Sequence, residues 1–293
     1  MSKPERRVMK IGLLMPFTGY TANPAAFART AEGLGFESVW IPEHPILPVN
    51  PKTPFPGTNG PIPNVYSQMC DPFVALSMAA AVTTQLKVAT GICLVPERSA
   101  LVTAKEVATL DAFSNGRFLF GIGAGWLREE SELLGVDFPK RWTQTAEYIA
   151  AMRELWSKDE ASFDGKYVKF SPVRCNPKPV QQPGPPVLIG SLDKNALKRV
   201  AKWADGWCPI GVPHGYVKKQ LDELRRACDA VGRDFAKLDI TAMGFIQGER
   251  AAVQEGLENY RKAGTHRFVI GVQNQLKPEN YEAELKRLAS LYV

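Results

Sequence analysis

The chain is poor in histidine and cysteine. Three histidines (His44, His214, His266) in 293 residues are too few for a histidine-rich metal site. The five cysteines (Cys70, Cys93, Cys175, Cys208, Cys228) are odd in number, widely spaced and never arranged C-x-x-C. That argues against a disulfide framework or a zinc site, so no metal is expected. No apolar run approaches the ~18 residues of a membrane span. Residues 11–17 are apolar but short and broken by Pro16, and the charged stretch Met1–Lys10 precedes no signal-like apolar core. A membrane partner is therefore not expected, and a reducing cytoplasm is the expected compartment. The net charge is +6, but the basic residues (Arg6, Arg7, Lys52, Lys105, Arg128, Lys198, Arg199, Lys218, Lys219) are scattered. Nucleic-acid binding would need a basic stripe with interleaved aromatics, so no nucleic acid is expected. G-x-S-x-G, P-loop and H-E-x-x-H patterns are all missing, which leaves nucleophilic serine or cysteine chemistry without support.

What the chain does have is alternation. Short apolar runs are each followed by an amphipathic segment with helical spacing. The runs are Val8–Met15, Ser38–Ile41, Leu86–Leu94, Arg117–Ile122, Val187–Gly190, Gly206–Pro209, Leu238–Phe245 and Arg267–Gly271. The helical segments between and after them are Pro24–Leu34, Pro72–Thr84, Ser99–Phe113, Trp142–Trp156, Asn195–Ala204, Val217–Val231, Ala251–Ala263 and Glu279–Leu291. Such alternation implies parallel strands with helical crossovers. Eight units in one chain of this length predict a single α/β domain over 1–293, a (βα)8 TIM barrel; a doubly wound sheet is the structural alternative. Insertions are expected after strands two and four. One is the Pro-, Gly- and Asn-rich loop 45–70, a candidate active-site lid. The other is 157–186, with a hairpin over Phe163–Phe170 turning at Asp164–Gly165 and then a Pro-rich run.

Chemistry in such a barrel sits where strands end. Strand two ends in Pro42-Glu43-His44-Pro45, and histidine is the side chain most easily tuned for proton transfer near neutral pH. The same position also suits a histidine in a loop hydrogen-bond network. Strand three ends in Ala89-Thr90-Gly91-Ile92-Cys93, where the glycine marks either a close approach to a ligand or a barrel kink. Strand four runs into Gly121-Ile122-Gly123-Ala124-Gly125-Trp126, whose glycines either let the backbone approach a flat ring or an anion, or make a flexible loop. Ile189-Gly190-Ser191 with Asp193 leads into a helix and reads as an anion seat or as ordinary capping. Glu129, Glu130, Glu132 and Asp137 read as a solvated acidic face, and Trp142, Tyr148 and Trp156 as packing residues.

Several of these runs, taken together, resemble the bacterial luciferase-like superfamily. They are Leu86–Gly91, Lys105–Asp111, Ser114–Phe118, Gly121–Trp126 with Leu127–Glu130, Asn176–Gln181, Pro186–Gly190 and Ala201–Trp207. The likeness spans nearly the whole chain and is weakest after about residue 235. It looks closest to the branch of F420-dependent oxidoreductases. The resemblance implies hydride transfer between coenzyme F420, a deazaflavin, and a small-molecule substrate. It implies that His44 handles a proton with Glu43 orienting it. It further implies a non-proline cis peptide at Gly91–Ile92 and a cofactor wall of Thr90, Gly91, Ile92, Gly123, Ala124, Gly125, Trp126, Gly190 and Ser191. Where a sugar-phosphate dehydrogenase branch carries a catalytic glutamate, this chain has Trp126, which points to a flatter, more apolar substrate. A homodimer is expected from the same likeness. The alternatives are an FMN-dependent monooxygenase, and a non-catalytic flavin- or deazaflavin-binding protein on the same barrel.

Overall fold

The computed structural model describes residues 9–272 and 276–293. Val8, the expected start of the first strand, and the rest of 1–8 lie outside the described residues. The elements run β1 (Lys10–Leu14), α1 (Pro24–Gly33), β2 (Ser38–Ile41), α2 (Pro72–Ala81), β3 (Lys87–Thr90), β4 (Cys93–Leu94), α3 (Ala100–Phe113), β5 (Phe118–Gly123), α4 (Arg128–Leu133), α5 (Arg141–Ser157), β6 (Ala161–Asp164), β7 (Lys169–Val173), β8 (Val187–Ile189), α6 (Ala196–Trp203), β9 (Gly206–Trp207), α7 (His214–Asp229), β10 (Asp239–Gly244), α8 (Arg250–Lys262), β11 (Arg267–Gly271) and α9 (Tyr281–Tyr292). Local chemistry sets several boundaries. Asn23 and Asp71 cap α1 and α2 with their side chains, and each helix opens on proline. Gly35, at φ +87°, takes the left-handed turn that ends the first unit.

Eight of the strands pair in parallel around a ring: β1, β2, β3, β5, β8, β9, β10, β11 and back to β1. The β3–β5 pairs Val88↔Phe118 and Ala89↔Leu119 close one side, and Lys10↔Arg267 through Leu14↔Gly271 close the other. The protein is therefore a (βα)8 TIM barrel. Every strand sends a side chain inward: Leu14, Trp40, Ala89, Leu119, Leu188, Met243 and Val269, with Cys208 just past β9. Trp40 is the largest of these plugs and is fully buried. The close approach of the Thr90 carbonyl, with the Trp40 ring behind it, explains the glycine at 121. A Cβ on Gly121 would lie 2.2 Å from the Thr90 carbonyl oxygen and 3.1 Å from the Trp40 ring. Below Trp40, Arg267 is buried and binds Glu37, Asp239 and Thr241.

Three features differ from the sequence expectation. The third strand is not continuous over Leu86–Leu94: it breaks after Thr90, where Gly91–Ile92 is cis, and resumes as β4 against β5. A short helix, α4, precedes the main helix of the fourth unit. The 157–186 stretch begins after α5 and leads into β8, so its hairpin β6–β7 and Pro-rich run belong to the end of the barrel where strands start. Gln181 ties that run down through Asp111 and the Phe118 carbonyl.

Candidate active site

At the end of β2, Pro42 turns the chain so that Glu43 and His44 point to different partners. The His44 Nδ1 lies 2.7 Å from Glu130 Oε2, and both residues are buried. The Trp126 indole N–H donates to His44 Nε2 at 3.2 Å. Since the indole can only donate, Nε2 accepts, and the ring proton sits on Nδ1 facing Glu130. A buried carboxylate in this place holds the ring orientation and would stabilise an imidazolium. Glu130 comes from α4. Leu127, Glu130, Ser131 and Leu134 share one helix face by their spacing, and Leu127, Glu130 and Ser131 are buried.

That pairing corrects two expectations. Glu43 does not orient His44: its carboxylate accepts from the Leu94 N–H at 2.7 Å and from Arg98 Nε at 2.5 Å, fixing the resumed third strand. The acidic run is not a solvated face throughout. Glu130 is wholly buried, and Glu129 accepts the backbone N–H groups of Lys52 (2.6 Å) and Thr53 (3.0 Å) in the 45–70 loop. Burial works against ionisation of Glu129, but the Thr53 side chain and these N–H groups outweigh it and hold the carboxyl down at about 2. Ile46 N–H adds a contact to Glu130 at 3.4 Å. The loop is thus tied to α4 along its first part. It brings Phe55 and Tyr66 over the site. Tyr66 sits 4.9 Å from the His44 ring, Phe55 is 5.2 Å from Tyr66, and Trp126 is 5.5 Å from His44 and 5.8 Å from Phe55.

The glycine positions on three neighbouring strands converge beside this aromatic group. Thr90 Oγ1 donates to the Gly121 carbonyl at 2.7 Å, and Gly91 N–H donates to the Ile41 carbonyl at 2.7 Å. Ile92 lies across the ends of β5 and β8: a Cβ on Gly123 or Gly190 would come within 2.2 or 2.7 Å of its side-chain carbons. Thr90, Gly91, Ile92, Gly123 and Gly190 therefore make one low patch, with Ala124 buried behind it. Gly123 and Gly190 make room for the Ile92 side chain, and a surface of such small residues fits the flat face of a flavin-type ring.

Ser191 is already engaged by its neighbours. Its hydroxyl donates to Asp193, which also accepts from Asn195 N–H and pairs with Arg199, so capping chemistry occupies it. Trp142 stacks under Arg199, and the buried Trp156 donates to the Ala104 carbonyl; both are packing residues.

Sequence reasoning missed Glu97. It lies under Gly125, whose φ is +80° and whose added Cβ would meet Glu97 Oε1 at 2.4 Å. Ser131 Oγ donates to that same oxygen at 2.6 Å. Burial, helped by Glu130 and Glu43, pushes the Glu97 carboxyl up to about 8 against the hydrogen bond from Ser131. Among the described residues there is no cluster of His, Cys, Asp and Glu suited to a metal ion, and no helix long and apolar enough to cross a membrane.

Fold and site together define a (βα)8 barrel with a buried histidine–carboxylate pair past the end of β2 and small residues at the ends of β3, β5 and β8. The sequence model for luciferase-like monooxygenases matches residues 9–291, and the chain belongs to that family. An uncharacterised protein of Mycobacterium tuberculosis is 41% identical over 231 residues, covering 77% of this chain and 80% of its own. The FMNH2-dependent dimethylsulfone monooxygenase of Pseudomonas putida is 30% identical over 155 residues, covering 52% of this chain and 42% of that protein. The coenzyme F420-dependent tetrahydromethanopterin reductase of Methanopyrus kandleri shares the fold, with a TM-score of 0.74 at 19% identity and coverage of 97% and 98% of the two chains.

Proposed function

We propose that the chain is an oxidoreductase that moves a hydride between coenzyme F420 and a small organic substrate. The observation that carries this reading is the buried His44–Glu130 pair beside the glycine patch. When bound, the deazaflavin ring supplies the hydride chemistry. The protein's part is the proton. His44 Nε2 accepts it from a substrate oxygen or returns it, and Glu130 compensates the positive charge that forms. General acid–base help of this kind contributes roughly 10²–10⁴ in rate. Thr90, Gly91, Ile92, Gly123, Ala124, Gly125 and Gly190 would hold the ring, and the chain around Ser191 would meet the cofactor's anionic tail. Trp126, Phe55 and Tyr66 form an apolar chamber that excludes water and suits a flat, apolar substrate.

A second reading, an FMN-dependent monooxygenase, is favoured by the likeness to the Pseudomonas enzyme. Titrating the purified protein with F420 and with FMN separates the two. Saturable F420 binding with substrate-dependent reduction or oxidation supports the first; tight FMN binding without F420 binding overturns it. A loaded protein that never turns over across a broad substrate panel is instead a non-catalytic carrier.

We also infer a homodimer and a reducing, cytoplasmic setting. The outer face of α2 and α3 leaves Val74, Val102 and Phe113 exposed beside a groove of about 540 Å3. Exposed apolar side chains beside a groove, rimmed by polar residues such as Asp71, Lys105 and Glu106, support an association surface. A mass of one chain in light scattering rules the dimer out. The five cysteines are all free, which suits a compartment that keeps thiols reduced.

A further inference from the structure

The atom that must move a proton, His44 Nε2, is already spoken for. Its lone pair accepts the Trp126 indole N–H at 3.2 Å. The indole is held there from the other side by the 45–70 loop: Phe55 and Tyr66 stand 5.8 and 6.3 Å from the Trp126 ring, each edge-on, and Tyr66 also touches His44. The loop in turn is fastened to α4 by Glu129 and Glu130, the residues that directly follow Trp126-Leu127-Arg128. Gly125, at φ +80°, is the backbone joint next to the tryptophan.

We infer that Trp126 is a positioning residue that plugs His44 Nε2, and that substrate must replace it with a hydrogen-bond donor of its own. Two consequences follow from the geometry. While the plug is in, only one neutral tautomer is allowed, with the proton on Nδ1 against Glu130, so the ring is preset to accept at Nε2. Displacing the indole leaves a buried acceptor, and leaving it unpaired is costly. A ligand that fills the aromatic space without a donor pays that cost; one with an O–H or N–H on a flat apolar body does not. The ligand class is therefore an apolar alcohol, phenol or similar donor. This selectivity rests on the reading of His44 as the proton carrier, but the plug itself does not.

The test uses the full chain without cofactor, so its outcome is independent of which cofactor binds. Diethyl pyrocarbonate acylates unprotonated imidazole nitrogen, and mass spectrometry resolves the histidines. His214, exposed on α7, is the internal reference. In the unsubstituted protein His44 should react far more slowly than His214. Trp126→Phe keeps the ring but removes the donor, and should speed His44 acylation about fivefold with His214 unchanged. The long-range 15N spectrum of the imidazole should keep the Nδ1–H tautomer that Glu130 sets in both proteins, while the Nε2 resonance moves downfield in Trp126→Phe as that nitrogen loses its donor, a change that loss of packing alone does not produce. Phenol and anisole then serve as matched probes. Phenol should shift the Trp126 indole N–H resonance and protect His44 in Trp126→Phe; anisole should do neither. Unchanged acylation and an unchanged Nε2 resonance in Trp126→Phe overturn the plug. An equal response to the two probes, or none to either, overturns the donor requirement.

Discussion

His44 and Glu130 lie 86 positions apart in sequence and 2.7 Å apart in space, with the proton of His44 Nδ1 between them. The contact joins the end of β2 to a helix in the fourth unit, and both sides are buried. Its consequence is that each half fails differently. On the proposed mechanism His44→Ala removes the proton carrier, and it should lower kcat by about 10²–10⁴ while leaving cofactor affinity nearly intact. Glu130→Gln keeps shape and a hydrogen bond but withdraws the charge that stabilises the imidazolium, so a smaller loss, about 10–100-fold, is expected. Steady-state turnover beside cofactor titration measures both. A His44→Ala enzyme with normal turnover would remove His44 from the mechanism.

The contrast between these two residues shows how far the sequence was readable. The barrel was legible because its periodicity is local: each strand and helix carries its own apolar pattern, caps and stops. His44 was legible because it closes a strand. Glu130 was not, because its partner is distant in the chain and its neighbours Glu129 and Glu132 are acidic, so the run resembled a solvated surface. A signal was present in the spacing Leu127, Glu130, Ser131, Leu134, which places Glu130 on the apolar face of a helical turn. Glu43 was assigned to His44 by adjacency, yet successive residues leaving a strand point to opposite sides.

Of the two carboxylates that fasten the loop 45–70, Glu129 makes its closure measurable. Glu129 Oε1 accepts from the N–H groups on both sides of the Lys52–Thr53 bond, a site trypsin can cut. The carboxyl is held down at about 2, so its contribution is complete above the ordinary carboxylate value of 4.5 and fades only as the pH falls through about 2. Protection of this bond should therefore be flat from pH 6 to 9. Glu129→Ala should raise cleavage after Lys52 about tenfold, since hydrogen bonds to a charged acceptor are among the stronger ones. Cleavage that is as slow in the variant removes Glu129 as the fastening.

At the opposite end of the barrel, Arg267 is 1% exposed and bridges Glu37 and Asp239. Arg267→Met leaves two carboxylates facing each other in a poorly solvated place, and should cost about 3–5 kcal/mol. If the loss comes from uncompensated charge, the triple variant Glu37→Gln, Asp239→Asn, Arg267→Met should recover much of it. Calorimetric melting of the single and triple variants decides. A triple variant no more stable than the single one would assign the loss to packing against Trp40, 5.9 Å from the guanidinium carbon.

Glu97 gives the barrel a pH dependence of its own. It is 7% exposed, one carboxylate oxygen has no hydrogen-bond partner, and burial pushes the group up to about 8 from an ordinary 4.5. Below pH 4.5 the folded and unfolded chains both hold the proton, and the group adds no slope. Between 4.5 and 8 the unfolded chain has released it while the folded chain keeps it, so stability falls as the pH rises. Above 8 both are ionised and the loss is complete. Glu97→Gln cannot titrate and still accepts from Ser131. The unsubstituted protein should therefore lose melting temperature between pH 5 and 9 relative to the variant, by roughly 5 °C, and the variant should be the more stable of the two at pH 9. Melting curves at intervals of one pH unit provide the measurement. Parallel pH profiles would mean that the carboxyl is ionised in the folded protein throughout this range, and that the space under Gly125 admits the charge.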